Sequence, residues 1–167
     1  MTSDSAEQVE GLLRSLSFEL DPELRCESQA LSLTLSIWNT IRDGREMPAR
    51  RDIDPVALPR NLLPHLLLVD VLREPALRFR WRLIGTGITN TLGRDSTGRY
   101  WDELYDAETH AEISSAVQWV IRHRRPLRSV GRAPLPERSF LHSENLNLPL
   151  SSDGAAIDMI LGVSLYR

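Results

Sequence analysis

Hydrophobic positions along the 167-residue chain change spacing several times, and the changes mark its elements. Val9, Leu12, Leu13 and Leu16 fall at i, i+3, i+4 and i+7, which predicts an amphipathic helix. Asp21, Pro22 and Glu23 then read as the N-cap, first helical residue and first-turn acid of a second helix. That helix is expected to run to about Asp43, with Gly44 as its stop. Its middle reads two ways. Leu31, Leu33, Leu35 and Ile37 alternate with polar residues as in a strand, whereas Leu24, Leu31, Leu35 and Trp38 keep helical spacing. The cap, the stop and the length favour the helix. Pro48, Pro55, Pro59 and Pro64 then forbid a long helix over residues 45–65, yet Ile53, Val56, Leu58 and Leu62 are too apolar for a disordered linker.

Strand patterns follow. The run Leu66 to Leu72 predicts a buried strand near 66–73, and Glu74-Pro75-Ala76 turns the chain into a second strand near 77–85. In the second strand Arg78, Arg80 and Arg82 alternate with Phe79, Trp81 and Leu83, so the apolar set is expected to face the helices. Three unpaired arginines could not be buried there. Short helical pieces are expected around 88–92 and 101–105. A long helix near 107–124 is capped by Asp106, carries Ile113, Ala116, Val117 and Val120 on one stripe, and ends before Pro126. Three strands close the chain near 127–133, 140–150 and 156–165, with Ser152-Asp153-Gly154 as the last hairpin turn. Strands joined by hairpins around a helical block predict an α+β domain, one antiparallel sheet with helices on one face.

Composition narrows the chemistry. The only cysteine is Cys26, so an internal disulfide or a thiolate metal cluster is ruled out. All 20 basic residues are arginine, which removes lysine chemistry altogether. No apolar run approaches the ~20 residues of a membrane span. The N-terminus has no signal-peptide pattern, so a cytoplasmic protein is expected. The net charge of −3 conceals an uneven distribution. Residues 1–24 hold six acids against Arg14, and residues 118–138 hold six arginines against Glu137. The acid-rich segment is therefore a candidate electrostatic partner for the Arg78, Arg80 and Arg82 face.

The motifs Pro48-Ala49-Arg50-Arg51-Asp52-Ile53-Asp54-Pro55, Leu58-Pro59, Leu63-Pro64-His65-Leu66, Val69-Asp70-Val71 and Phe79-Arg80-Trp81-Arg82-Leu83-Ile84-Gly85-Thr86 follow in order. With Gly93-Arg94-Asp95-Ser96-Thr97-Gly98-Arg99, Leu148-Pro149-Leu150 and Gly162, they resemble a PAS sensory subfamily of bacteria, over roughly residues 28–167. Members of that subfamily often stand alone as short proteins. The resemblance implies a PAS-like five-stranded antiparallel sheet cupping a small cavity against helices, preceded by N-terminal helices. It divides the chain into an N-terminal helical segment, 1–44, and a PAS-like sensory domain, 45–167. It also implies a regulatory role, exercised by binding a small ligand or a protein partner and signalling through dimerisation or a separate signalling protein. No output domain is expected after Arg167.

Candidate ligand-binding residues are Phe79, Trp81, Leu83, His110, Ile113, Val117, His142 and Glu144. His110 borders the stripe of the long helix, and some PAS domains hold haem through a histidine near that helix; a half-exposed structural histidine is the simpler reading. His142 and Glu144 share strand parity with Leu146 and Leu148 and so are expected to face helices. Leu24, Leu31, Leu35 and Trp38 offer more apolar surface than one sheet edge needs, which predicts a homodimer through the N-terminal helices. No cofactor is assigned, and 6% aromatic content is thin for a flavin pocket. No metal site is expected, because His65, His110, His123 and His142 have no ligand spacing. Gly85-Thr86-Gly87 fails as a dinucleotide loop, since Asn90 stands where the third glycine is required. No catalytic constellation is present, so an enzyme is not expected. The rival reading is a nucleic-acid-associated regulator using Arg122, Arg124, Arg125, Arg128 and Arg132. The pI of about 5.8 and the lack of an aromatic–glycine motif argue against nucleic acid.

Overall fold

A computed structural model describes residues 18–167. The helix expected around Val9–Leu16 lies outside these residues. Strand β1 is Glu19–Asp21 and helix α1 is Gln29–Arg42. The remaining elements are β2 (Leu66–Leu72), β3 (Arg78–Ile84), α2 (Thr86–Leu92), α3 (Trp101–Leu104), α4 (Ala107–His123), β4 (Leu127–Arg132), β5 (His142–Leu150) and β6 (Met159–Tyr166).

The strands form one antiparallel sheet in the order β1-β4-β5-β6-β2-β3. The five expected strands are all present, and β1 adds a sixth at the β4 edge, with Glu19 opposite Val130 and Asp21 opposite Arg128. This pairing corrects the start of the N-terminal helix. Asp21 does not cap a helix at Pro22; it ends β1, and its carboxylate accepts the Arg25 N–H at 2.8 Å. The helix begins about two turns later, where Ser28 Oγ accepts the Ala30 N–H at 3.1 Å. It ends at Arg42, with Asp43 and Gly44 both at positive φ.

Helices α2, α3 and α4 cover one face of the sheet. Asp106 caps α4 through the Thr109 N–H at 2.8 Å. Helix α1 covers the other face, so the strands are buried from both sides. Leu31 and Trp38 of α1 join the reverse-face side chains Leu146, Leu148 and Leu150 of β5 in the core, and Trp38 Nε1 donates to the Pro149 carbonyl at 3.1 Å. The described part of the 1–44 segment therefore packs onto the sheet through both β1 and α1. Between β5 and β6, Asp153 Oδ1 accepts the N–H groups of Ala155 at 2.8 Å and Ala156 at 2.9 Å, which shapes the last hairpin turn.

Candidate functional site

Between the sheet and helices α2–α4 lies a cavity of about 100 Å³. Its apolar wall comes from strand positions that face the helices, Leu67 and Val69 of β2, and from Ile88, Ile113 and Val117 of the helices. Its other side is polar. Ser129, Ser143, Asn145, Asn147, Ser164 and Tyr166 reach it from β4, β5 and β6. Ser164 Oγ donates to Asn145 Oδ1 at 2.7 Å, and Asn145 Nδ2 donates to Ser143 Oγ at 3.1 Å. These bonds fix the amide of Asn145 at the cavity floor.

Aromatic rings close one end. Trp101 packs between Phe79, at 5.1 Å between ring centroids, and Trp81, at 4.8 Å. Trp81 Nε1 donates to the Tyr105 hydroxyl at 3.2 Å. The Trp101 indole N–H is buried and has no acceptor among the described residues, although buried polar groups are usually paired. Burial pushes the phenols of Tyr105 and Tyr166 above their ordinary values, so both keep their protons at neutral pH.

Of the residues singled out from the sequence, Trp81, Ile113 and Val117 stand on the cavity wall. Phe79 is buried one layer behind, against Trp101. Leu83 is 44% exposed and faces away from the cavity. The reason is a bulge in the β2–β3 pairing: Leu68 opposes Leu83 but Val69 opposes Trp81, so Arg82 is the extra residue. Past the bulge the parity flips, and Ile84 lines the cavity in place of Leu83. His110 is half-buried on α4 outside the cavity, and His142 is exposed at the start of β5. Glu144 is buried, but on the reverse face of the sheet. Cys26 is not on the cavity wall, and burial, then the Glu144 charge, pushes its thiol up. Leu31 is fully buried and Trp38 is 3% exposed on their own sheet, so neither is available to a second chain. Leu24 and Leu35 are partly buried against the same core.

The charged groups also find partners that spacing did not reveal. Arg78 forks onto Asp102 with two bonds of 2.7 Å, and Arg80 binds Asp70 at 2.8 Å and 3.0 Å. These neighbours supply the anionic company that was expected from the N-terminal acids; Arg82 is exposed. The basic strip from Arg122 to Arg132 is interrupted. Arg124 binds Glu46 at 2.8 Å, Arg125 lies over the Trp119 ring, and Arg128 is buried.

Arg128 sits in an ionic cluster on the reverse face. Its Nε donates to Glu144 at 2.8 Å and its Nη1 to Asp21 at 3.1 Å. Glu144 also accepts the N–H groups of Glu27 at 2.8 Å and Ser28 at 3.2 Å, just ahead of α1. Burial alone would raise the carboxyls of Asp21 and Glu144, but these hydrogen bonds and guanidinium charges outweigh it and hold both below the ordinary value.

Sequence reasoning missed the polar floor. Its signal was the alternation Ser143, Asn145, Asn147 against Glu144, Leu146, Leu148, which was read with the apolar set toward the cavity. Among the described residues, no group of three or more His, Cys, Asp or Glu side chains is placed to hold a metal, and no helix is long and apolar enough to cross a membrane.

The PAS domain family matches residues 26–165. Among solved structures the chain is similar to one described as an RNA-binding light-oxygen-voltage receptor, at 15% identity and a TM-score of 0.45. That likeness covers 68% of this chain and 35% of the receptor, so the chain spans about a third of the receptor's length. No curated protein matches the sequence.

Proposed function

The chain belongs to the PAS domain family, a family of sensory and regulatory domains, and from that premise we propose that it binds a small molecule in the cavity and reports occupancy through α1 to a protein partner. The observation that carries this reading is the partly open cavity of mixed polarity, lined by Trp101, whose indole N–H lacks an acceptor among the described residues. A bound acceptor would satisfy it. Sites of this kind pair an apolar lining with a few placed polar groups. At about 100 Å³ the cavity is smaller than the ~300–1,000 Å³ of drug-sized sites, so a compact ligand is favoured over a flavin.

The route outward runs through β5. Ser143 and Asn145 line the cavity, while Glu144 between them holds Arg128 and the N–H groups ahead of α1. A ligand that draws on Asn145 shifts the strand that anchors α1. The partner is a second copy or a separate signalling protein meeting the outer side of α1, where Leu33 is 39% exposed.

Native mass spectrometry of freshly purified protein tests the reading. A retained mass that disappears on denaturation, and that is lost in a Val117→Phe variant with unchanged circular dichroism, supports it. A retained mass unaffected by Val117→Phe places binding elsewhere and contradicts it.

A further inference from the structure

The charge census of the cavity says more about its occupant. Arg94 and Arg132, both solvent-exposed, stand on its wall, and among the described residues no Asp, Glu or His lines it. Neither arginine is in an ion pair with a described residue. Arg132 has only a long contact of 3.5 Å to the Ser139 carbonyl. Arg78, Arg80, Arg124 and Arg128 are each held by a carboxylate, which Arg94 and Arg132, like other exposed arginines, lack among the described residues. Among the described residues, a positively charged ligand would meet two like charges and no opposite one on this wall.

The neutral groups agree in sign. Trp101 offers a buried N–H that can only donate, and Tyr166 offers a phenol that stays protonated. A guanidinium fork matches a carboxylate with paired hydrogen bonds. Val69, Ile88 and Val117 supply apolar lining to the same cavity. Resting on the reading of the cavity as a ligand site, we propose that its ligand is a small organic anion, a carboxylate carried on a compact apolar group. An engineered cavity of about 150 Å³ holds benzene, so in about 100 Å³ the apolar part is no larger than that ring and the carboxylate lies toward the exposed Arg94 and Arg132.

The test uses the full chain and three probes of one shape: benzoate, benzyl alcohol and benzylamine, titrated by calorimetry. Benzoate is expected to bind at least tenfold more tightly than benzyl alcohol, and benzylamine more weakly than either. An Arg94→Gln, Arg132→Gln double variant should lose at least tenfold for benzoate and leave benzyl alcohol unchanged. Val117→Phe should weaken both. Benzyl alcohol or benzylamine binding as tightly as benzoate overturns the anion proposal and leaves the cavity reading intact. Benzoate binding that the arginine variant does not weaken, or that Val117→Phe does not touch, also overturns it. If no probe binds, the proposal falls, and the retained-mass measurement judges the cavity reading separately.

Discussion

Glu144 and Asn145 are consecutive on β5 and serve opposite faces of the sheet. Asn145 is bonded to Ser143 and Ser164 at the cavity floor, while Glu144 binds Arg128 and the Glu27 N–H, each at 2.8 Å, on the reverse face. Strand alternation imposes this arrangement, and the proposed signal uses it to pass from the cavity to the reverse face.

Arg128→Met takes the guanidinium from buried Glu144 and leaves buried Asp21 with only the exposed Arg25. Breaking a buried pair from one side costs about 3–5 kcal/mol. Urea denaturation should show a loss of that order. A loss within the range of an exposed pair, about 0–1 kcal/mol, would contradict the role given to the cluster.

Acid should unfold the protein through the same groups. The ordinary values are 3.8 for Asp21 and 4.5 for Glu144, and both carboxyls lie lower when folded. The unfolded chain therefore binds more protons in that window, so the stabilisation is complete above the ordinary values and is lost as pH falls through the folded ones. The urea midpoint should drop between pH 5 and about pH 3, and drop less steeply in Arg128→Met. A flat or rising midpoint on acidification is the contrary result.

Gly85-Thr86-Gly87 has a packing explanation. A Cβ at Gly85 would overlap the Pro64 carbonyl oxygen, and one at Gly87 would lie 2.9 Å from the same atom. Backbone cannot yield as a flexible side chain can. Gly85→Ala should cost about 1–3 kcal/mol, the range for overpacking, read as a lower urea midpoint. An unchanged midpoint would show that the 63–66 segment gives way.

Trp38 ties α1 to β5 through its ring and its bond to the Pro149 carbonyl. Trp38→Ala should cost about 3–5 kcal/mol and speed hydrogen exchange across residues 29–42. Unchanged exchange there would contradict the docking of α1.

Much of this fold is legible in the sequence. The strands β2–β6 and the helix α4 are marked by runs, alternation, an Asp cap and a terminal proline, all local signals. Strand β1 is obscured, because the alternation Phe18-Glu19-Leu20-Asp21 is short and its Asp21-Pro22-Glu23 end also reads as a helix start; pairing with β4 orders it. The partners of Arg78, Arg80 and Arg128 are legible only after pairing, since Asp102, Asp70 and Glu144 are remote or on another strand. At the site, Trp81, Ile113 and Val117 follow from periodicity. Leu83 does not, because a bulge leaves no mark on composition. The polar floor was misread because two helical layers, one on each face, claim the strands, and an alternating pattern does not say which layer takes which set.

The most direct test of the central claim is a ¹H–¹⁵N spectrum of the full chain titrated with benzoate. The protein has four tryptophans, and their indole N–H signals can be assigned by substitution. The account predicts that the Trp101 indole signal moves to saturation as its N–H gains an acceptor. The backbone amides of Glu27 and Ser28, bonded to Glu144 on the far face, should move along the same binding curve, while the Trp119 indole, stacked on His123, stays in place. A Trp101 signal that does not respond would contradict the ligand site, and a responding Trp101 with motionless Glu27 and Ser28 amides would contradict transmission through β5.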